Sequence, residues 1–433
     1  MRRRGISIYG VAMGALALLA VAVPSYAAGF GIFEQGTKAM GMAGAFTAQA
    51  DDPSLLFHNA GGLAFVTDSD FAGGFTYIRG IKAEFQGAAP FPGPNSKAEQ
   101  ETLAEIVPHG YYVRPINQTW KFGVGVNAPF GLTTEWDPNT FSGRYISTKA
   151  AVRTVDFNPT IGWQVTPTFG IGFGAIGRVS DVVLERRVPA VNPFTQTVVD
   201  VAGIELESDP STGFGWNIGL LNKVNNSFSW GLSYRSKVNV EYEGDGRLTQ
   251  ISTGNAQLDA VLRTRLPFDR NLPIETEVEF PDMASLGLAF SLTPSLLLET
   301  DVNWTGWSSF DETTIRFTGG DLPNSTIRSN WDDVMNYRAG LRWTRSASSE
   351  VRFGFVFDET PQPEEAVSPL LPDADRNGFT IGYGHKGAKF KTDLALMYLD
   401  FKERTRAKSF PGESPFLGTY NTQAWLLGAT IGF

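Results

Sequence analysis

The sequence predicts an all-β fold, a transmembrane antiparallel β-barrel of about fourteen strands with an amino-terminal plug in its lumen. Three observations predict it. Fourteen segments alternate in polarity with period two, the connections between them are alternately short and long, and the chain ends on an aromatic at Phe433. The last segment is the clearest. Trp425, Leu427, Ala429, Ile431 and Phe433 fall on one face, and Ala424, Leu426, Gly428, Thr430 and Gly432 on the other, as a strand between lipid and lumen requires.

The other segments lie near 70–79, 109–114, 121–128, 153–163, 168–178, 212–223, 227–242, 275–292, 295–304, 336–345, 350–358, 377–386 and 389–400. Short links carry turn residues: Asn117-Gln118, Thr166-Pro167, Asn225-Asn226, Thr293-Pro294 and Ser348-Ser349. Long links occupy 80–108, 129–152, 179–211, 243–274, 305–335, 359–376 and 401–422. Short turns on one side and long loops on the other are the connectivity of a single-chain bacterial barrel. A soluble β-sandwich also has short alternating strands, but its loop lengths are not one-sided.

Residues 1–27 read as a signal peptide. Arg2, Arg3 and Arg4 precede an apolar run from Val11 to Val23, and Ser25 and Ala27 form a small-residue cleavage site. No other apolar stretch is long enough for a membrane helix, and the mean hydropathy is -0.12. The three arginines go with the signal, leaving 33 basic against 45 acidic residues and a net charge of -12. That charge makes nucleic acid an unsuitable partner. With no Cys and only His58, His109 and His385, neither disulfides nor a soft-ligand metal site is expected, and no cofactor is implied. The 47 Gly, 32 Phe, 10 Trp and 12 Tyr suit bent strands and interfacial aromatic girdles. A terminal aromatic on an alternating strand is what outer-membrane assembly machinery reads in barrel proteins, so that machinery and outer-membrane lipid are expected partners.

Residues 28–68 do not alternate. They carry Phe30, Ile32, Phe33, Met40, Met42, Phe46, Leu55, Leu56, Phe57, Leu63 and Phe65, too apolar for a linker. The wide lumen is the nearest place to bury them, which makes this stretch a plug. The expected division is a signal at 1–27, a plug at 28–68 and a barrel at 69–433.

Several motifs then coincide: Ala28-Gly29-Phe30, Gly41 to Asp52, NAPFGLTTEW from Asn127 to Trp136, WTGWSSF from Trp304 to Phe310, Tyr337-Arg338, and PDADR from Pro372 to Arg376. Together they resemble the FadL-type outer-membrane transporters of long-chain fatty acids and aromatic hydrocarbons. The resemblance implies a monomeric barrel of fourteen strands with an amino-terminal hatch. Its ligand is a hydrophobic small molecule, caught in a groove between two outer loops, passed to a pocket touching the hatch, and released sideways through a kink in the third strand. Such a route spares the ligand rehydration and needs no energy source.

For the kink, Gly123 and Gly125 weaken the third ladder and Pro129 cannot donate to one; alternatively, Pro129 simply ends the strand at an outer loop. The family's hatch motif Asn-Pro-Ala-Gly against that kink is here Asn59-Ala60-Gly61-Gly62, lacking the proline. For the groove, the loops 179–211 and 243–274 are expected. Leu258, Val261, Leu262 and Leu266 follow helical spacing, and with Phe268 and Phe30 they are the expected apolar contacts; the alternative is that this helix face packs on a neighbouring loop. Arg186, in Leu184-Glu185-Arg186, stands where fatty-acid members place an inward Arg, or else is an exposed loop residue beside Glu185. Trp331-Asp332-Asp333-Val334-Met335 replaces a segment where those members carry Lys, which favours a neutral hydrocarbon over a carboxylate.

Asp373-Ala374-Asp375-Arg376-Asn377-Gly378 resembles the start of a calcium loop, but its twelfth position is Gly384 rather than Glu. Asp375 and Arg376 are instead expected to make hydrogen bonds at the barrel rim. Rival functions are an open porin, a surface adhesin and a barrel lipase; the last lacks a Gly-x-Ser-x-Gly motif, and no His is tied by spacing to a Ser.

Overall fold

The computed structural model describes residues 29–101, 104–320 and 322–433; the expected signal peptide lies outside them. Fourteen strands form the wall: β1 Asp70–Gly87, β2 Ala104–Pro115, β3 Trp120–Asn127, β4 Lys149–Gln164, β5 Phe169–Val191, β6 Ser211–Asn225, β7 Phe228–Arg235, β8 Met283–Thr293, β9 Leu296–Thr305, β10 Val334–Ser346, β11 Ser349–Asp358, β12 Arg376–Lys386, β13 Lys391–Phe401 and β14 Gly418–Gly432. Each pairs antiparallel with its sequence neighbours. The ring closes where β14 pairs with β1, from Ala72 opposite Gly432 to Gly87 opposite Gly418. Phe433 extends this seam by exchanging both backbone hydrogen bonds with Phe71, each at 3.1 Å. A closed antiparallel ring leaves no strand edge, which is what allows strands to sit in lipid.

Alternation along each strand sorts residues between lipid and lumen. In β4, Phe157, Ile161 and Trp163 are exposed on the outer face while Asp156, Asn158 and Thr160 are buried. In β14, Trp425, Leu427, Ile431 and Phe433 face out as expected. Among the described residues no helix is long and apolar enough to cross a membrane.

Two expected strands are broken. The segments 227–242 and 275–292 do not run through; the ladder is interrupted at Ser236-Lys237 and Pro281-Asp282. Pro281 has no N–H to donate, and Ser236 Oγ takes the Trp216 N–H at 2.9 Å. Beyond the breaks, Val238–Gln250 and Asn271–Phe280 pair with each other, and Val238–Gln250 also pairs with Val198–Ser208. The expected loops 179–211 and 243–274 are therefore largely an outer sheet. Its core is Ala202, Ile204, Leu206, Leu248, Leu272, Ile274, Ile315 and Phe317.

The segment before β1 forms α1 (Thr37–Met40), α2 (Leu55–His58) and a 3-10 turn at Ala60–Phe65. It touches strands all round the circumference, which is possible only from inside the ring. Inward-facing glycines make the space: Gly123 faces Leu56, Gly172 faces Ala60, Gly219 faces Asn59, Gly287 faces Thr47, Gly340 faces Met42, Gly354 faces Ala43 and Gly428 faces Met40. A Cβ at any of these would collide with the segment. Met40, Met42, Phe46, Leu55, Leu56 and Leu63 are at most 1% exposed, each contributing roughly 1.5–3 kcal/mol of apolar burial.

The segment's peptide groups need acceptors that a completed barrel does not offer through its backbone. Two carboxylates of β9 supply them. Asp301 Oδ2 accepts from the N–H groups of Phe46 and Thr47, both at 3.0 Å, and Glu299 Oε1 accepts from Ala48 at 2.5 Å and Gln49 at 3.2 Å. Lys38 adds an ion pair to Asp51 at 2.9 Å, and Arg342 of β10 reaches the same carboxylate at 2.7 Å. Replacing Asp301 with Ala leaves two buried donors unanswered, so the 46–49 turn should loosen by about 3 kcal/mol. Hydrogen exchange at these amides should accelerate by roughly two orders of magnitude while the wall amides keep their protection.

Candidate functional site

A cavity of about 470 Å3 lies above the plug at the outer end. Leu132, Val152, Val182, Leu184, Ile204, Leu206, Val278 and Leu371 make its walls mostly apolar, and Phe30, Phe310 and Trp331 lie on its lining too. Phe30 belongs to an aromatic cage, with ring centroids 4.7 Å from Trp307, 5.5 Å from Phe310, 5.8 Å from Trp331, 6.0 Å from Phe130 and 6.1 Å from Phe280. Edge-to-face contacts at such distances favour one packed arrangement of the rings.

The wall beside the cage is not continuous. β3 pairs with β2 only from Pro115 opposite Lys121 to Gly110 opposite Val126. After Asn127 the chain turns away through Ala128-Pro129-Phe130 and resumes as Gly131–Glu135, which pairs with β4 alone. The Ala104–His109 half of β2 has no ladder partner on that side. Plug residues bond to the freed groups instead: Ile32 N–H donates to Pro129 O at 2.8 Å and Gly131 N–H to Phe30 O at 3.0 Å. Gln35 Nε2 donates to Ala128 O at 2.7 Å, and its Oε1 accepts from Ala128 N–H at 3.0 Å. Phe130 is held on the other side by Thr154, whose hydroxyl donates to Phe130 O at 2.6 Å.

The structure brings some of the expected site residues together and leaves others apart. Phe30 and Arg186 both line the cavity. Glu185 is engaged by Lys149 at 3.6 Å, and Arg186 has no carboxylate partner among the described residues. Leu258, Leu262 and Phe268 do not line it. The expected amphipathic helix exists, as α3 at Ala256–Arg265, but it lies on the outer sheet. Leu258 is buried, and Phe268 packs against the core of that sheet and bridges to Leu248. Helix spacing could not distinguish a ligand face from a packing face.

Pro129 is at the break and does not end the strand, since pairing resumes two residues later. Gly123 and Gly125 precede it within the regular ladder, turned toward Leu56 and Tyr111. Asn59, Ala60 and Gly61 are not against the break; they pack on β5, β6 and β7. There Asn59 Nδ2 donates to Thr47 O at 2.7 Å and Leu220 O at 3.0 Å. The segment that meets the break is Phe30–Gln35, in which the sequence marked Phe30 alone as a ligand contact. Asp332 and Asp333 are absent from the cavity lining: Asp332 N–H bonds to Pro361 O, and Asp333 accepts from Ser308 N–H. The two acids therefore give no ground for preferring a neutral ligand.

At the rim, Arg376 pairs with Asp358 at 2.8 Å and Lys402 with Asp375 at 3.0 Å, as expected. Asp373 is buried and tethers the plug: its Oδ2 accepts from Gly29 N–H at 3.1 Å and from the Thr360 hydroxyl at 2.6 Å. Burial raises its carboxyl to about 6, against the opposing pull of Arg376 and the Thr360 and Gly29 donors.

A closed barrel filled by its own amino-terminal segment, with a gap in one seam beside an apolar cavity, defines a plugged outer-membrane transporter. The sequence profile of the outer membrane protein transport family (OMPP1/FadL/TodX) matches residues 18–433, and the chain belongs to that family. It is 23% identical over 447 residues to the long-chain fatty acid transport protein of Escherichia coli O6:H1, covering 97% of each chain. Among solved structures, a Pseudomonas aeruginosa FadL homologue superposes with a TM-score of 0.83 at 20% identity, over 94% of this chain and 99% of that one. The Pseudomonas putida toluene transporter TodX gives 0.69 at 16%, over 94% and 99%. The chain is an outer-membrane β-barrel transporter, and the proteins it resembles are transporters rather than enzymes.

The raised Asp373 makes the tether pH-dependent. A carboxyl that is easier to protonate in the folded state contributes stability below its free value of 3.8, and that contribution is lost as pH rises through about 6. Openings that release Gly29 and solvate Asp373 should therefore be rarer at pH about 4 than at pH about 7, and Gly29 amide exchange by that route correspondingly slower once corrected for intrinsic rates. Asp373→Asn should flatten the difference.

Proposed function

We propose that the chain carries hydrophobic small molecules passively across the outer membrane, long-chain fatty acids or aromatic hydrocarbons being the classes that the named relatives transport. The ligand collects in the apolar cavity, displaces Phe30 from the aromatic cage, and leaves sideways through the β2–β3 gap into the bilayer. The observation that carries this reading is the broken seam: the interrupted strand lies beside the cage, plug residues take the groups freed at Ala128–Gly131, and the two sides of the seam meet again only farther out, where Thr133 donates to Glu105 and Glu101 to Glu135. The cavity is within the roughly 300–1,000 Å3 common for small-molecule sites. Lateral release suits a hydrophobe because it enters lipid without first entering water. Phe30, Phe130 and Pro129 gate the opening, with Gln35 fixing the plug to the break, and Arg186 is placed to meet a carboxylate.

An open porin is the second reading, and the filled lumen disfavours it; single-channel recording should show near silence. The gate itself can be locked. Gly31 and Phe130 form an isolated antiparallel bridge of the type in which side chains approach closely, and the chain has no cysteine of its own. Gly31→Cys with Phe130→Cys should form a disulfide across the gap. Uptake of radiolabelled oleate or toluene by cells lacking their own transporter should fall at least about tenfold when oxidised and recover on reduction. Undiminished uptake in the oxidised form, with the cross-link verified, contradicts lateral release at this gap.

A further inference from the structure

Cations gather on one arc of the rim that carries the short turns, the periplasmic end of the barrel. The turns at 116–119, 165–168, 226–227 and 294–295 hold no charged residue. Beside them Lys121 gives its ammonium to Asn117 O and Gln118 O, Lys223 lies over the Phe65 ring, and Arg114 is a single cation. The β10–β11 and β12–β13 turns differ: Arg345 leads into the first, and Lys386, Lys389 and Lys391 surround the second. These two turns are neighbours, since β11 pairs with β12 and the Lys386 N–H donates to Ser348 O at 2.8 Å.

Register sets the height of the cations in the membrane. Trp343, Val351, Tyr383 and Leu394 are partners at one level across β10–β13, and Trp343, Tyr383 and Leu394 are exposed on the lipid side. One outward level nearer the periplasm stand His385 and Thr392, which pair with each other. Arg345 continues the outward row of Trp343, its guanidinium 5.6 Å from that ring. Lys386, Lys389 and the exposed Phe390 come just beyond. The Phe390 ring reaches the closing seam, 6.5 Å from Phe433, which lies 5.1 Å from Phe71. Interfacial aromatics with cations immediately beyond them occupy the depth at which lipid phosphates lie.

The carboxylates of the same strands are committed elsewhere. Glu350 is held by Lys38, Arg342 and Arg352, and Asp393 by Arg352, all on the lumen side. Asp70 takes Lys391. Among the described residues Arg345, Lys386 and Lys389 therefore have no carboxylate partner. In a chain of formal charge -9, three unanswered cations on adjacent turns are not a consequence of composition.

We propose that Arg345, Lys386 and Lys389 bind the phosphodiester headgroup of an anionic glycerophospholipid in the periplasm-facing leaflet. Its acyl chains lie along the exposed outward row of Trp343, Phe353, Ile381 and Leu394. Charge complementarity and depth select this occupant: the cations adjoin exposed apolar side chains that lipid covers, whereas an acidic periplasmic protein would leave those side chains unanswered. The site stands independently of the transported ligand and of its exit route.

Electron spin resonance with spin-labelled phosphatidylglycerol and phosphatidylcholine of the same chains, on the full barrel in phosphatidylcholine vesicles, tests the site. Phosphatidylglycerol should be favoured at the protein surface by about threefold or more, and the preference should fall toward parity between roughly 0.05 and 1 M NaCl. The combined Arg345→Gln, Lys386→Gln and Lys389→Gln variant should lie within about 1.5-fold of parity at low salt. Arg247→Gln, Arg263→Gln and Arg265→Gln, which remove three exposed cations from the outer sheet and its helix, should keep the wild-type preference. Phosphatidylcholine should associate equally with all three proteins, as an intact lipid-facing wall requires. Equal association of the two lipids with wild type, the outcome for a surface that serves an acidic protein instead, overturns the proposal. So does a wild-type preference that salt leaves unchanged, one that survives in the rim variant, or one that the outer-sheet variant loses as well.

Discussion

Burying a segment without strand structure inside a closed barrel imposes one constraint on everything else: its peptide groups must find partners in a wall whose own backbone is already paired. The chain meets this in two ways. Side-chain carboxylates on β9, Glu299 and Asp301, accept four consecutive amides of the plug. At one place the wall itself opens, and the groups freed by the turn at Ala128–Phe130 are taken by Phe30, Ile32 and Gln35. The anchor and the gap are therefore two solutions to one accounting problem. The first fixes the 46–49 turn of the plug through side-chain acceptors. The second makes the wall and the start of the plug depend on each other for backbone partners.

The fold was largely legible because lipid on one side and lumen on the other force period-two patterning, and because turns and loops segregate by length. The plug was legible as apolar residues without alternation. Its seat was not. The glycines read as aids to strand bending are, at Gly172, Gly219 and Gly354, clearances for the plug, and no local pattern distinguishes the two. Breaks at Ser236-Lys237 and Pro281-Asp282 were missed because the alternation resumes on the far side in Val238–Gln250 and Asn271–Phe280. Pattern alone cannot tell a wall strand from its extension into an outer sheet.

The site was legible in part. Phe30 and Pro129 fall in motifs the sequence offers and lie beside the break; Leu258, Leu262 and Phe268 lie on the outer sheet and not on the cavity, because an apolar helix face looks the same whether it meets a ligand or a neighbouring sheet. Gln35 carries no signal at all: a single glutamine meets the break only because Ala128 leaves the β3 ladder opposite it.

The account turns on where a bound hydrophobe leaves the barrel, and photo-crosslinking with a diazirine-bearing fatty acid in intact cells tests that most directly. Mass spectrometry should find label on Phe30, Phe130 and Leu132 and on the half of β2 that lacks a β3 partner, around Ile106, which is 64% exposed on the barrel wall. Label concentrated instead below the plug, around Val66 and Thr67, with the β2–β3 seam unmarked, would contradict lateral release and indicate passage down the lumen.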